Sequence, residues 1–187
     1  KLREMREILA PWRVDVKPLS DFTRDQADET GLTFVENALL KARFAAAVSG
    51  LPAIADDSGL EVDALHGAPG IRSARYAGPA CDDGANNALL LRELAAVPDA
   101  LRTARYRCAM VFLRWPDDPA PVIAQAYWEG RIGREPRGSG GFGYDPLFLV
   151  DEGARTAAEL DAAEKNRRSH RGLALRGLVQ ALADGAP

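Results

Sequence analysis

The chain has 187 residues, room for one domain with a sizeable core. Its 24 lysines and arginines stand against 27 aspartates and glutamates, and the net charge of −3 argues against a protein built to coat nucleic acid, which needs positive charge to meet phosphates. At 47% apolar it is too hydrophobic for intrinsic disorder, and its longest uncharged apolar run, the twelve residues Phe44 to Ala55, falls short of the roughly 20 of a membrane helix.

Leu2 to Ala10 reads as a short helix stopped by Pro11, and Val14 to Leu19 as a strand. Thr33 to Val48 is a strong helix. Thr33 and Glu36 form a capping box at its start, Val35, Leu39, Ala42 and Ala46 share a face, and Gly50 and Pro52 end it. Ala53 to Ala55 is a short strand running into Asp56-Asp57-Ser58-Gly59, and Ala64 to Gly78 is irregular. Asp82 or Asp83 caps a helix that reaches Ala96. Arg105 to Leu113 alternates with Tyr106, Cys108, Met110 and Phe112 on one side, and pairs with Val122 to Trp128 across a Pro-rich turn. Leu147 to Val150 is a further strand, Thr156 and Glu159 repeat the capping box, and a last helix runs from about His170 to Leu182. The mixture predicts one α/β domain over 1–187 with a mixed sheet. Two cysteines, Cys81 and Cys108, exclude a disulfide framework and a four-cysteine zinc site, and read as free thiols of a cytoplasmic protein.

Four places carry residues suited to chemistry. Asp56 and Asp57 follow a buried strand, where carboxylates can hold Mg²⁺ or act as general base; read alone, the run fits a solvated Asx turn better. Gly138 to Gly143 contains four glycines, with Phe142 and Tyr144 as rings that can stack on a base; a flexible hairpin loop is an equal reading. Lys165 and Ser169-His170-Arg171-Gly172 place donors at a helix start, which also suits a plain polar cap. Glu29 and Glu36 can reach a shared metal, although Glu36 is also the capping-box residue.

These pieces occur in one order: Glu29-Thr30-Gly31-x-Thr33-Phe34-x-Glu36-Asn37-Ala38, Lys41-Ala42, Ala55-Asp56-Asp57-Ser58-Gly59-Leu60, Gly67-Ala68-Pro69-Gly70-Ile71-x-Ser73-Ala74-Arg75-Tyr76, Gly140-Gly141-Phe142-Gly143-Tyr144-Asp145-Pro146 and Ser169-His170-Arg171-Gly172. Together they resemble the inosine/xanthosine triphosphate pyrophosphatases, the RdgB-like house-cleaning nucleotide hydrolases, along essentially the whole chain. That family opens with a strand and a Thr-x-Asn-x-x-Lys loop that binds the triphosphate. Only Lys1 matches it here, so the N-terminal strand and most of the phosphate loop are expected to be missing.

The resemblance implies an elongated domain of two lobes around a long mixed sheet, with the active site in the cleft between them. It implies hydrolysis of ITP, dITP and XTP to the monophosphate and pyrophosphate, with Mg²⁺ as cofactor. Asp57 matches the catalytic carboxylate, which also serves the metal with Glu29 or Glu36. Lys1 and Ser58 would hold substrate, Phe142, Gly143, Tyr144 and Asp145 would line the nucleoside pocket, and Lys165, His170 and Arg171 would aim donors at the 6-oxo group. Adenine carries a donor at that position, so such a pocket disfavours ATP. The resemblance also implies a cytoplasmic homodimer, for which the irregular, glycine-rich and moderately apolar segment Ala64 to Tyr76 suits the interface; charge and apolar-run length predict no nucleic acid or membrane as partner. Its alternatives are a pyrophosphatase for other nucleotides, of the Maf type, and a nucleotide-binding module without catalysis.

Overall fold

The first long helix forms where its sequence signals place it. In the computed structural model, which describes residues 5, 6, 9, 10 and 14–185, helix α1 spans Phe34–Ser49. The Thr33 hydroxyl accepts from the Glu36 N–H at 3.2 Å, and Gly50, left-handed at φ 66°, closes the helix by donating to the Ala46 carbonyl. Its buried face is Phe34, Ala38, Ala42 and Ala46 with the polar Asn37, not the face through Val35 and Leu39. The rotation sends Asn37 inward with the alanines, for a reason that lies in the site.

Of the first predicted helix, Met5, Arg6 and Leu9 are helical; Lys1 to Glu4, Glu7 and Ile8 lie outside the described residues. The strand expected at Val14 to Leu19 is absent. Val14 to Pro18 is irregular and Leu19–Asp21 is a 3₁₀ turn. The Val16 carbonyl accepts from the Arg6 guanidinium at 2.9 and 3.1 Å instead of from a neighbouring strand, and Pro18 has no N–H to donate.

Five strands follow: β1 Ala53–Val62, β2 Thr103–Leu113, β3 Val122–Ile132, β4 Phe148–Val150 and β5 Arg155–Thr156. They are ordered β1-β2-β3-β4-β5 in one sheet. The α/β class is as expected, but among the described strands the sheet is antiparallel rather than mixed. In β3–β4, Ile132 faces Phe148, and in β4–β5, Leu149 faces Thr156. The short β2–β3 and β4–β5 links fit antiparallel hairpins, since a parallel pair needs a long crossover. The other helices are α2 Asp83–Glu93, α3 Ala162–Arg168 and α4 His170–Ala183.

The chain divides into two compact units, residues 1–57, 108–126 and 171–187, and residues 58–107 and 127–170. In the first, Cys108, Met110 and Val122 pack with Ala174, Leu175 and Leu178 of α4. In the second, Leu60, Val62, Leu90, Tyr106, Trp128, Phe148 and their neighbours form the core. Arg102 is buried within that unit and holds it by its carbonyls, donating to Leu94, Ile132 and Gly133 oxygens at 2.7 to 2.8 Å. No periodicity marks this arginine, because its partners come from three separate segments.

The β2–β3 turn closes on Asp118, which is buried. Its carboxylate accepts from two Arg114 nitrogens at 2.7 and 2.8 Å and from the backbone N–H groups of Arg114 and Ala120, both at 3.0 Å. The Arg114 side chain, with those N–H groups, holds the carboxyl well below the ordinary range. A carboxylate with a lowered folded pKa stabilises the fold fully above its unfolded value, about 3.9, and loses that contribution as pH falls through the folded value. Asp118→Asn is therefore expected to lower the urea midpoint at pH 7. Its deficit relative to the unaltered protein should shrink as pH falls below about 4; a deficit independent of pH would show that the charge contributes nothing.

Candidate active site

The acidic pair of the sequence lies inside β1, not in a turn after it, because the strand continues to Val62. Successive strand residues face opposite ways, so Asp56 and Asp57 cannot share a ligand cage from one side. Asp56 Oδ2 accepts from Arg171 Nε at 3.1 Å, both side chains being about nine-tenths buried. Asp57 is only 8% exposed and faces α1. Its Oδ1 meets Lys41 Nζ at 2.7 Å and its Oδ2 meets Asn37 Nδ2 at 3.3 Å. Asn37 and Lys41 are one helical turn apart, on the same face of α1. The Asn37 Oδ1 in turn accepts from the Gly31 N–H at 2.8 Å, so the loop before the helix is held as well.

Lys41 also lies 3.1 Å from Glu29 Oε1, so one ammonium joins Glu29 and Asp57. Burial raises the Asp57 pKa above the ordinary carboxylate value, and Glu29 adds to this, while Lys41 and Asn37 oppose it. For Lys41, burial acts downward, but the bonds and charges of Asp57 and then Glu29 more than offset it and leave its pKa above the ordinary lysine value. Glu36 serves a different purpose. Its Oε2 accepts from the Leu32 N–H at 2.8 Å and from the Thr33 hydroxyl at 2.9 Å, which hold its carboxyl below the ordinary range. The helix start occupies it, through the Leu32 N–H and the Thr33 hydroxyl.

Lys41 was not among the candidates of the sequence reading. Its signal was present in outline: Asn37 and Lys41 at a four-residue spacing behind a capping box, on a helix whose exposed surface has no need of an asparagine facing inward.

In the second unit the glycine-rich loop closes on Asp145, which is buried. Asp145 Oδ2 accepts from the Phe142 N–H at 2.7 Å and from Lys165 of α3. The Lys165 ammonium also lies 5.1 Å from the centre of the Phe142 ring, which is 58% exposed. The Gly143 N–H donates to Asp83 at 2.7 Å, and its carbonyl accepts from Asn87 at 2.9 Å. Tyr144 is buried, with its hydroxyl donating to the Ser73 carbonyl at 2.8 Å, so it is a core residue rather than an open stacking platform. His170 is buried at the start of α4. Ser58 is half-buried in β1. Lys1 lies outside the described residues.

Two groups of predicted residues are thus assembled within their own units: Asp57 with Glu29, and Phe142 with Asp145 and Lys165. The donor set of the first fits a hard cation. Two carboxylates already bracket the ammonium of Lys41, and Mg²⁺ is characteristically held by one or two carboxylates, completing its shell with waters and substrate phosphates. Among the described residues no three His, Cys, Asp or Glu side chains converge as a self-sufficient metal cage.

The glycine loop yields a paired prediction. A Cβ at Gly141 would lie 2.1 Å from Asp145 Oδ2 and 2.8 Å from Lys165 Nζ, whereas one at Gly143 meets nothing within 4 Å; both residues have positive φ, 76° and 61°. Gly143→Ala should cost only the left-handed strain, about 1–2 kcal/mol. Gly141→Ala must also separate Asp145 from Lys165 and should cost about 1–3 kcal/mol more. Urea unfolding of the two variants checks this; equal losses would mean that the Asp145 contacts contribute little.

Comparison with known proteins shows the family. The model of the Ham1 family matches residues 1–181. A dITP/XTP pyrophosphatase of Thioalkalivibrio sulfidiphilus is 62% identical over 182 residues, covering 97% of this chain and 93% of the relative. The dITP/XTP pyrophosphatase of Escherichia coli strain K12 is 52% identical over 185 residues, covering 99% and 94%. Among solved structures, a HAM1 protein from Coxiella burnetii superposes with a TM-score of 0.92 at 48% identity, covering 98% of this chain and 93% of that one. Family match, relatives and solved structures thus extend over nearly the whole length that carries the Asp57 and Asp145 clusters, and the chain belongs to the Ham1 family.

Proposed function

We propose that this chain hydrolyses ITP, dITP and XTP, the non-standard purine nucleoside triphosphates, to the monophosphate and pyrophosphate. Its relatives are named for dITP/XTP pyrophosphatase activity. The observation that carries the reading is the Asp57–Lys41–Glu29 cluster, a buried carboxylate poised beside a cation in a chain of this family. Asp57 is the general base: ionised, it accepts the proton of the water that attacks between the α- and β-phosphates. Lys41 opposes the effect of burial on Asp57, and Asn37 holds the carboxylate by its second oxygen. Asp57 and Glu29 are the residues that would hold Mg²⁺. When bound, the metal would offset charge on the phosphate oxygens.

The nucleoside belongs to the second cluster. Phe142 offers an exposed ring for the base, and Lys165 and His170 supply donors that suit a 6-oxo purine and mismatch the amino group of adenine. Lys1 and Ser58 complete the proposal at the phosphates. The working form is a cytoplasmic homodimer. Among the described residues no helix is long and apolar enough to cross a membrane. Leu65 and Tyr76, in the segment proposed as interface, already pack on the core of their own unit, so they lend the dimer little support. A dimer mass by light scattering at micromolar concentration is the expected result, and a monomer mass would remove this part.

Asp57→Asn should lower kcat for ITP by about 10³-fold or more while nucleotide still binds, measured by pyrophosphate release with Mg²⁺ and by calorimetry. Turnover within a few-fold would remove Asp57 as the base. Lys41→Met tests the pairing by pH. Lys41 lowers the Asp57 pKa, so its loss should move the acidic limb of kcat/KM to higher pH. An unmoved limb would mean that the limb reports another group.

A further inference from the structure

Asp145 and His170 converge on one buried side chain that the mechanism above does not use. Tyr106 lies in β2 and is 7% exposed, in the core of the second unit. Its ring stacks on the His170 imidazole, centroids 4.8 Å apart and planes 13° from parallel, and meets Phe148 at 4.5 Å, tilted by 47°. Its hydroxyl donates to Asp145 Oδ1 at 3.2 Å. The other oxygen of Asp145 is taken by the Phe142 N–H and the Lys165 ammonium. The carboxylate is therefore gripped at both ends, by the tyrosine on one side and by the loop and α3 on the other. A phenylalanine would fill the same space; the hydroxyl is a polar group added to a dry core, where it must find a partner. Burial first, and then the Asp145 charge, push the phenol well above its ordinary pKa, so it remains a donor at every pH at which the protein works.

We propose that Tyr106 is a positioning residue for recognition of the base: its hydroxyl fixes the Asp145 carboxylate, and with it the Lys165 ammonium, while its ring fixes the plane of the His170 imidazole. The proposal rests on the nucleoside pocket assigned under Proposed function. It extends that pocket to a residue that acts on the base only through Asp145, Lys165 and His170. One strand residue thereby sets the loop, α3 and the first residue of α4 in a common register.

Two variants separate the two parts of this role. Tyr106→Phe keeps the ring and removes the hydroxyl; Tyr106→Leu removes both. For Tyr106→Phe the expected result is a KM for ITP raised roughly tenfold, the loss of one hydrogen bond to a charged group, with kcat within about twofold. For Tyr106→Leu the KM should rise further and the ratio of kcat/KM for ITP over ATP should fall. The second readout needs no substrate. The chain has two histidines, and His66 is exposed, so the ring-proton resonance of His170 is readily assigned by a His66→Ala variant. The stacked tyrosine should shift that resonance upfield; Tyr106→Phe should keep the shift and Tyr106→Leu should abolish it. A KM for ITP within twofold of the unaltered protein in Tyr106→Phe would overturn the role of the hydroxyl. An unmoved His170 resonance in Tyr106→Leu would overturn the role of the ring. If Tyr106→Leu fails to fold, Tyr106→Phe decides alone, since it leaves the core filled. If the unaltered protein releases no pyrophosphate from ITP, the functional reading fails in that first measurement, and the resonance of His170 still decides whether the tyrosine orients it.

Discussion

Alternation along β1 is the constraint on which the carboxylate chemistry depends. Asp56 and Asp57 are neighbours in sequence, yet a pleated strand sends their side chains to opposite faces, so each needs its own partner. Asp56 meets Arg171 and Asp57 meets Lys41 and Asn37. One carboxylate is thereby committed to an arginine at the start of α4, and the other is left beside a lysine that Glu29 shares. A buried carboxylate without partners would take up a proton and lose its use as a base. Here burial raises the pKa of Asp57 while Lys41 opposes it, so both effects act on the same group.

The same logic shapes α1. An amphipathic helix chosen only for burial would turn its larger apolar residues inward. Instead the inward stripe is built on the small Ala38, Ala42 and Ala46, with Asn37 beside them. Small residues let the helix approach closely, and the close approach is what allows Asn37 and Lys41 to reach the strand. The helix start then has a second consequence: by engaging Glu36, it leaves Glu29 as the acidic residue beside Lys41.

In the second unit the corresponding fixed point is Asp145. A glycine with positive φ lets the loop come within contact of that carboxylate, and α3 delivers Lys165 to it. Around α3, Arg155 and Arg168 alternate with Asp151 and Glu164 in a closed set of ion pairs, and Arg168 lies 5.8 Å from the Trp128 ring. Individual pairs at such exposure contribute little, but a network that binds both ends of a seven-residue helix limits how far Lys165 can wander.

By itself the sequence determined what is decided within a few residues or by motif order. The Thr33 cap, the capping box at Thr156, the Asp82 cap, the glycine stop at residue 50 and the alternating strand through Tyr106 and Met110 are all local signals, and all appear in the structure. The ordered motifs were enough to identify the family. The tertiary structure decided the rest. It drew the acidic pair into a strand, although carboxylates disfavour strands, because Arg171 and Lys41 were there to receive them. It made a 3₁₀ turn and irregular chain where Val14 to Leu19 suggested a strand, because a side chain took the carbonyl. It joined Lys41 to Asp57 across 16 residues, Asn37 to Asp57 across 20 and Tyr106 to Asp145 across 39. Local signals act over about four residues, the span of a helical turn, and are written in the residues themselves. A hydrogen bond between distant side chains is chosen by the packing that brings its two ends within about 3 Å, and packing exists only once the chain has folded.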